Sequence, residues 1–140
     1  MSQNNPDIAT ILKDAGHSVT KQRMFVFTLL EGAEPLSMHE LYDLAKHELD
    51  RASLYRIVAL FEELGIAQLI NIGWKYKIEL SDRFAEHHHH LTCIKCNRVI
   101  PINEAELEVF INGLADKYQF QPVGHQVEVQ GYCSHCALEA

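Results

Sequence analysis

Two C-x-x-C pairs and a run of four histidines are the residues of this chain best suited to bind metal. The pairs are Cys93/Cys96 and Cys133/Cys136, the histidines run from His87 to His90, and the chain has no other cysteine. Thiolates and imidazoles bind zinc and similar borderline metals, and two intervening residues let both sulfurs of a pair reach one ion. The two pairs predict a closed, structural zinc site. Two disulfides are the alternative, but no other feature is typical of a secreted protein.

The histidine run can serve two further sites, because alternate side chains of an extended segment point to opposite sides. His87 and His89 should face one way, and His88 and His90 the other. In a predicted strand after Pro122, His125 shares a face with apolar residues, where an unpaired imidazole is costly. A helix predicted over 103–118 carries Glu108 on its flank. One candidate four-ligand site is therefore His87, His89, Glu108 and His125.

Composition limits the kind of protein. The chain has 140 residues, of which 47% are hydrophobic, so it suits one domain or two small ones with a real core. Its net charge of −7 argues against a surface coated in basic groups, so any nucleic-acid contact must come from local clusters. No apolar run resembles a signal peptide or could span a bilayer, so we expect a cytoplasmic protein without membrane partners.

The first half of the chain has the start and stop signals of four helices followed by a hairpin. The first predicted helix covers 7–15, and the second is capped by Thr20 and ends at Gly32. The third begins with the Ser37/Glu40 capping box and reaches about His47, and the fourth covers 51–64 after the cap Asp50. Strands 66–70 and 74–80 follow, with Trp74, Tyr76, Ile78 and Leu80 on one face and Lys75, Lys77 and Glu79 on the other. Helices followed by a hairpin with outward lysines predict a winged helix, in which Lys75 and Lys77 meet phosphate.

The fourth helix has an exposed start suited to DNA. Leu54, Ile57, Val58, Phe61 and Leu64 fall on one apolar stripe. The exposed N-terminal end carries Arg51, Ser53, Tyr55 and Arg56, residue types that read a major groove. The alternative is an ordinary solvated amphipathic helix.

Five segments together resemble the ferric uptake regulator (Fur) family, over nearly the whole chain. They are V-T-K-Q-R (19–23), S-M-H-E-L-Y (37–42), R-A-S-L-Y-R-I-V-A-L (51–60), H-H-H-H-L-x-C-x-x-C (87–96) and G-Y-C-x-x-C (131–136). The resemblance implies an α+β protein with a winged-helix DNA-binding domain, 1–82, and a small α/β dimerisation domain, 83–140. It also implies metal-dependent repression of metal-uptake genes. It supports the site of His87, His89, Glu108 and His125, with His89 where an aspartate is common.

The resemblance implies a second site at the hinge between the domains, and here the chain departs from the pattern. Glu79, His88 and His90 match three ligands, but Pro35 and Pro101 stand where a histidine and an acid are usual, and neither can bind. A solvent molecule, His39 or Glu104 is a possible replacement. Ser18 stands where family members often carry a basic residue for the minor groove. Lys13 or Lys21 is the candidate to make this minor-groove contact instead. Lys21 and Arg23 of the V-T-K-Q-R segment are among the residues that we expect to contact DNA.

Three classes of function compete at this stage. The first is a metal-responsive repressor that binds operator DNA as a homodimer, with one structural Zn²⁺ and a second regulatory ion, Zn²⁺ or Fe²⁺. Manganese, nickel and peroxide sensing stay open, the last least favoured because Pro101 removes an acid. The second is a zinc enzyme, for which no H-E-x-x-H or comparable arrangement is present. The third is a zinc-ribbon interaction module without DNA binding. No small-molecule substrate beyond metal ions is expected.

Overall fold

The computed structural model describes residues 7–138, which form two compact units that divide between Glu86 and His87. The elements of the N-terminal unit are α1 (Ile8–Asp14), α2 (Lys21–Leu30), α3 (Met38–Ala45), α4 (Arg51–Glu63), β1 (Ala67–Ile72) and β2 (Lys75–Leu80). Those of the C-terminal unit are β3 (His89–Cys93), β4 (Val99–Ile102), α5 (Ala105–Lys117), β5 (Glu128–Gly131) and α6 (Ser134–Ala137). No helix within residues 7–138 is both long enough and apolar enough to cross a membrane.

Short polar side chains start the four helices of the N-terminal unit where the sequence predicts. Asp7, Thr20 and Asp50 each accept a hydrogen bond from the backbone N–H three residues on. Ser37 and Glu40 form both bonds of the predicted capping box. These bonds satisfy donors that the first helical turn leaves without intrahelical partners. The local sequence therefore fixes where α4, the candidate DNA-reading helix, begins.

The apolar faces of these helices meet in one core. Leu12, Val26, Leu41, Leu54, Phe61, Ile66 and Ile78 are almost fully buried. The backbone of Leu36 exchanges two hydrogen bonds with that of Ile78, which fastens the segment before α3 to the hairpin. The hairpin and the helices therefore form one unit that presents the start of α4.

The hairpin differs from the prediction at its tip. The ladder runs from Ala67↔Leu80 to Ile72↔Lys75, so the turn consists of Gly73 and Trp74. Gly73 adopts a φ of +63°, which favours glycine. The expectation that Trp74 belongs to the strand and shares its apolar face is wrong: its side chain is 89% exposed. Two-residue turns suit the twist of paired strands better than the predicted three-residue connection does.

The C-terminal unit is a three-stranded mixed sheet with α5. The strand order is β4-β3-β5, and the central strand β3 is antiparallel to β4 and parallel to β5. The expectation that α5 packs its apolar residues inward is wrong for the single chain, since no residue of α5 is buried and Phe110 is 65% exposed. His125 precedes β5 instead of lying within it.

We expect Phe61→Ala to lower the free energy of unfolding by about 3–5 kcal/mol, because it removes a large, fully buried side chain and leaves a cavity. Urea titration followed by far-ultraviolet circular dichroism measures the change. The control is Leu44→Ala, at an exposed position of α3, which should stay within about 0.5 kcal/mol of the wild type. Equal effects of the two substitutions would contradict the assigned core.

Candidate metal centres and DNA-contacting surface

The four cysteines converge at one end of the sheet of the C-terminal unit. Cys93, the last residue of β3, is paired with Gly131, the last residue of β5, in the parallel ladder. Both strands therefore deliver their following turns at the same end. The four sulfurs lie within 4.8 Å of one another, and Cys96 Sγ is 3.9 Å from Cys133 Sγ. Sulfurs bound tetrahedrally at about 2.3 Å from zinc are about 3.8 Å apart.

Backbone N–H groups donate to two of these sulfurs, and the environments of the thiols differ. The N–H of Cys96 donates to Cys93 Sγ at 3.5 Å, and that of Cys136 donates to Cys133 Sγ at 3.4 Å. The Cys96 N–H, followed by that of Cys133, lowers the pKa of the Cys93 thiol to about 6. Burial, followed by neighbouring thiols, raises the pKa of Cys136 to about 12. All four cysteines are free rather than paired as disulfides. The cluster is a structural zinc site, as the spacing predicts.

A second group of donors lies on one side of β3, and we call it the histidine–glutamate cluster: His87, His89, Glu108 and His125. Both carboxylate oxygens of Glu108 are engaged. Oε1 lies 2.6 Å from His89 Nε2 and 3.1 Å from His87 Nε2, and Oε2 lies 2.7 Å from His125 Nε2. The Nε2 atoms of His87 and His125 are 3.1 Å apart. Ligands of one tetrahedral zinc at about 2.0–2.1 Å have comparable separations.

Electrostatics within this cluster favours an ionised carboxylate. Burial raises the pKa of Glu108, but the His89 hydrogen bond and the three neighbouring imidazoles outweigh it, and the pKa lies below its ordinary value. The N–H of Val127 donates to His89 Nδ1 at 3.0 Å. In a neutral His89 the ring proton must then lie on Nε2, where it donates to Glu108. Glu108 and His89 thus orient each other.

His88 and His90 occupy the other side of the histidine run, as alternation predicts. Their ring centroids are 4.8 Å apart, and His90 has no exposed surface. Glu79, the third residue of the predicted hinge site, belongs to β2 of the N-terminal unit, where its Oε1 accepts a hydrogen bond from Gln68 Nε2 at 2.7 Å. The proposed replacement donors are solvent-facing: His39 Nε2 lies 3.4 Å from Asp43 Oδ2, and Glu104 is exposed at the start of α5.

The start of α4 presents the predicted DNA-reading residues. The Arg51 guanidinium lies 4.2 Å from the ring centroid of Tyr42, and Arg56 Nη2 donates to Ser53 Oγ at 3.2 Å. Tyr55 is exposed beside them. These contacts hold both arginines near the exposed end of the helix.

A surface depression of about 300 Å³ extends this face toward α2. Its lining residues are His17, Thr20, Gln22, Arg23, Ser53, Arg56, Ile57 and Leu60. Arg23 Nη1 donates to the carbonyl of Ser18 at 2.6 Å, so the arginine spans the position that lacks the usual basic residue. His17 and Gln22 share this lining with Arg56 because α2 packs beside α4, which sequence patterns do not show.

The hairpin lysines differ from one another. Lys75 Nζ lies 5.1 Å from the ring centroid of the exposed Trp74, whereas Lys77 Nζ lies 4.0 Å from Glu40 Oε1 and is largely covered. Lys21 is exposed at the first turn of α2. The glycine in the G-W-K sequence is typical of a turn, and the exposed position of Trp74 could have been inferred from it.

Comparison with known proteins gives consistent matches. The family model described as the ferric uptake regulator family matches residues 14–130. The ferric uptake regulation protein of Vibrio cholerae is 34% identical over 140 residues, which span 95% of this chain and 89% of the relative. That of Neisseria meningitidis is 30% identical over 130 residues, 89% of this chain and 90% of the relative. The crystal structure of the Vibrio cholerae ferric uptake regulator matches with a TM-score of 0.74 at 30% identity, covering 91% of this chain and all of that one.

We expect Cys96→Ser to abolish binding of one zinc ion per chain and to unfold the C-terminal unit. Structural zinc contributes about 10–16 kcal/mol of apparent binding free energy in small metal-dependent folds. Metal analysis of untagged protein and thermal unfolding measure the two effects. The control is Ser134→Ala in the second C-x-x-C turn, which removes no ligand. A full zinc content and an unchanged melting temperature in Cys96→Ser would contradict the assignment.

Proposed function

Because this chain belongs to the ferric uptake regulator family and is a metal-dependent transcriptional repressor rather than an enzyme, we propose that a divalent metal at its histidine sites switches a homodimer into the form that binds operator DNA. The observation that carries the proposal is the convergence of three imidazoles and one carboxylate in the histidine–glutamate cluster. DNA binding is assigned to residues 1–82, and metal sensing and dimerisation to 83–140. A repressor acts where the chromosome lies, so the proposed location is the cytoplasm.

The donor set of the histidine–glutamate cluster suits Zn²⁺ best. Zinc accepts four ligands in a tetrahedron, with imidazole nitrogen and carboxylate oxygen among its usual donors. Fe²⁺ is the second candidate, since imidazole also suits iron and ligand type alone does not decide which metal a site takes in cells. When bound, the ion supplies positive charge that replaces the ring protons now facing Glu108. This exchange of protons for metal makes the metal affinity of the cluster dependent on pH.

Glu79, His88 and His90 are proposed as the hinge site that couples metal to DNA binding. Glu79 lies in β2 of the N-terminal unit, next to the last residue of that strand, while both histidines lie among the first four residues of the C-terminal unit. One ion held by all three would favour a single arrangement of the two domains. The proposed metal binds the arrangement that contacts DNA more tightly than it binds the other arrangements. It therefore increases the population of the DNA-binding arrangement, by a factor limited by the ratio of the two affinities. The support for this ligand set is its match to the family pattern.

Operator DNA is proposed to meet the face formed by α4 and its neighbours. Arg51, Ser53, Tyr55 and Arg56 are proposed to contact base edges and nearby phosphates. Lys21, Arg23 and Lys75 are proposed to add contacts to phosphates. Lys77 is proposed to contribute less, because Glu40 partly neutralises it. These groups are concentrated in the N-terminal unit, which lets an acidic protein bind DNA locally.

A homodimer is proposed because the C-terminal unit exposes a large apolar surface. We call it the dimer face, and its exposed members are Val109, Phe110, Leu114, Tyr118, Phe120 and Val129. Five of the six lie in α5 or within three residues of its end, and large exposed apolar areas mark interaction sites in otherwise well-folded proteins. A two-fold dimer uses the same patch on both copies and presents two recognition helices to a pseudo-palindromic site.

We expect His87→Ala/His89→Ala to reduce metal-dependent operator affinity at least tenfold while keeping the cysteine-bound zinc. His88→Ala/His90→Ala tests the hinge set in the same way. Binding to the protein's own promoter is measured by fluorescence anisotropy with no added metal, with Zn²⁺ and with anaerobic Fe²⁺.

His47→Ala, at an exposed position after α3, is the control for the loss of a histidine. If both double variants bind operator DNA as tightly as the wild type, with and without metal, the switch does not lie in these histidines. A response restricted to Zn²⁺ or to Fe²⁺ identifies the regulatory ion.

We expect Leu114→Asp to convert the dimer into a monomer, because it places a charge in the apolar dimer face. Sedimentation velocity at micromolar protein, with zinc content as a check on folding, measures the change. Leu44→Asp, on an exposed part of the N-terminal unit, is the matched control and should remain dimeric. A wild-type protein that sediments only as a monomer would refute the proposed dimer.

A further inference from the structure

His90 has two neighbours across the sheet, and only one of them has a side chain that can form a hydrogen bond with an imidazole. Its ladder partners are Pro101 in β4 and Glu128 in β5. Residues directly opposite one another project to the same side of a sheet. Pro101 has no side-chain donor or acceptor, whereas Glu128 has a carboxylate. The β5 strand therefore supplies an acid next to His90 although the β4 position has none.

The Glu128 carboxylate is close to His90 and shielded from water. Its side chain is 18% exposed, and its Oε1 lies 3.9 Å from His90 Nδ1. Among residues 7–138, no hydrogen-bond donor reaches this buried oxygen. A buried carboxylate oxygen without a donor is unfavourable. A small side-chain adjustment that brings Oε1 to a protonated Nδ1 would remove this cost.

The neighbouring histidine provides a contrast. Nδ1 of His89 faces a donor, the backbone N–H of Val127, at 3.0 Å. Nδ1 of His90 faces an acceptor. A neutral imidazole carries its proton on one nitrogen only, and the partner of the other nitrogen decides which. The two adjacent rings are therefore biased toward opposite tautomers.

We propose that Glu128 is a positioning residue that accepts the Nδ1–H of His90 and so leaves His90 Nε2 as the nitrogen that binds the regulatory metal. Metal-ligating histidines commonly donate their other N–H to a carboxylate, which orients the ring and raises its basicity. Metal at Nε2 requires the proton to sit on Nδ1, where Glu128 lies. The metal part of this inference rests on the proposed function of His90, whereas the tautomer part does not.

The tautomer of His90 is the direct test. Two-bond ¹⁵N–¹H correlation spectra of ¹⁵N-histidine-labelled protein, with the cysteine site loaded with zinc, distinguish Nδ1–H from Nε2–H rings. We expect the Nδ1–H form for His90 and the Nε2–H form for His89 in the wild type. Glu128→Leu should shift His90 toward the Nε2–H form, and Glu128→Gln, which keeps an acceptor oxygen, should restore much of the wild-type signal. An Nε2–H His90 in the wild-type protein overturns the proposal.

Metal affinity is the second measurement. Zn²⁺ competition with a chelator is carried out in a His125→Ala background, which weakens the histidine–glutamate cluster. Glu128→Leu should lower the affinity for Zn²⁺ about 10–100-fold, as substitutions of residues that hydrogen-bond to metal ligands typically do. Glu106→Leu, at an exposed acid of α5, is the matched control and should change affinity less than about twofold.

The possible failures are distinguishable. If the wild type binds no ion beyond the cysteine zinc, the proposed function fails, and the tautomer spectra still decide the role of Glu128. If Glu128→Leu leaves both the His90 tautomer and the Zn²⁺ affinity unchanged, Glu128 does not position His90. Metal-induced shifts at Nδ1 instead of Nε2 of His90 also overturn the proposal. Circular dichroism and zinc content show whether each variant is folded.

Discussion

The central position of β3 is the constraint on which the metal chemistry of the C-terminal unit depends. Because β3 has a strand on each side, its first two residues, His89 and His90, are held extended and project to opposite sides. One side receives Glu108 and His125, and the other receives Glu128. The same parallel pairing with β5 aligns the strand ends that deliver the two C-x-x-C turns. One strand therefore positions two of the four cysteines' neighbouring turns and two groups of histidine and carboxylate donors.

The two classes of site differ in what metal must displace. At the cysteine cluster, the sulfurs of Cys93 and Cys133 accept hydrogen bonds from backbone N–H groups. At the histidine–glutamate cluster, the carboxylate already accepts hydrogen bonds from imidazoles, so an ion must replace protons that hold the site together. Metal binding that competes with internal hydrogen bonds is weaker and more reversible. This difference suits a permanent ion at one site and an exchangeable ion at the other.

Features encoded by neighbouring residues could be predicted from the sequence, whereas several that depend on hairpin register or on cross-strand pairing could not. The caps at Thr20 and Ser37, the pairing of the cysteines and the alternation of the histidines follow from local chemistry. Trp74 was misplaced because the hairpin register decides whether it lies in the strand or the turn. Glu128 was missed because it comes close to His90 only through the pairing of β3 with β5. The two residues are 38 positions apart in the sequence (128 − 90).

The two outer edges of the sheet are chemically unequal. β4 forms one edge and contains Pro101, which has no backbone N–H, whereas the described residues of the opposite edge strand, β5, include no proline. An unpaired edge invites another strand to add, and proline is one of the devices that prevents it. Pro101, which stands where the family pattern has an acid, thus also discourages strand addition and edge-to-edge aggregation at β4. Only the β5 edge keeps its full set of backbone donors for pairing with another chain.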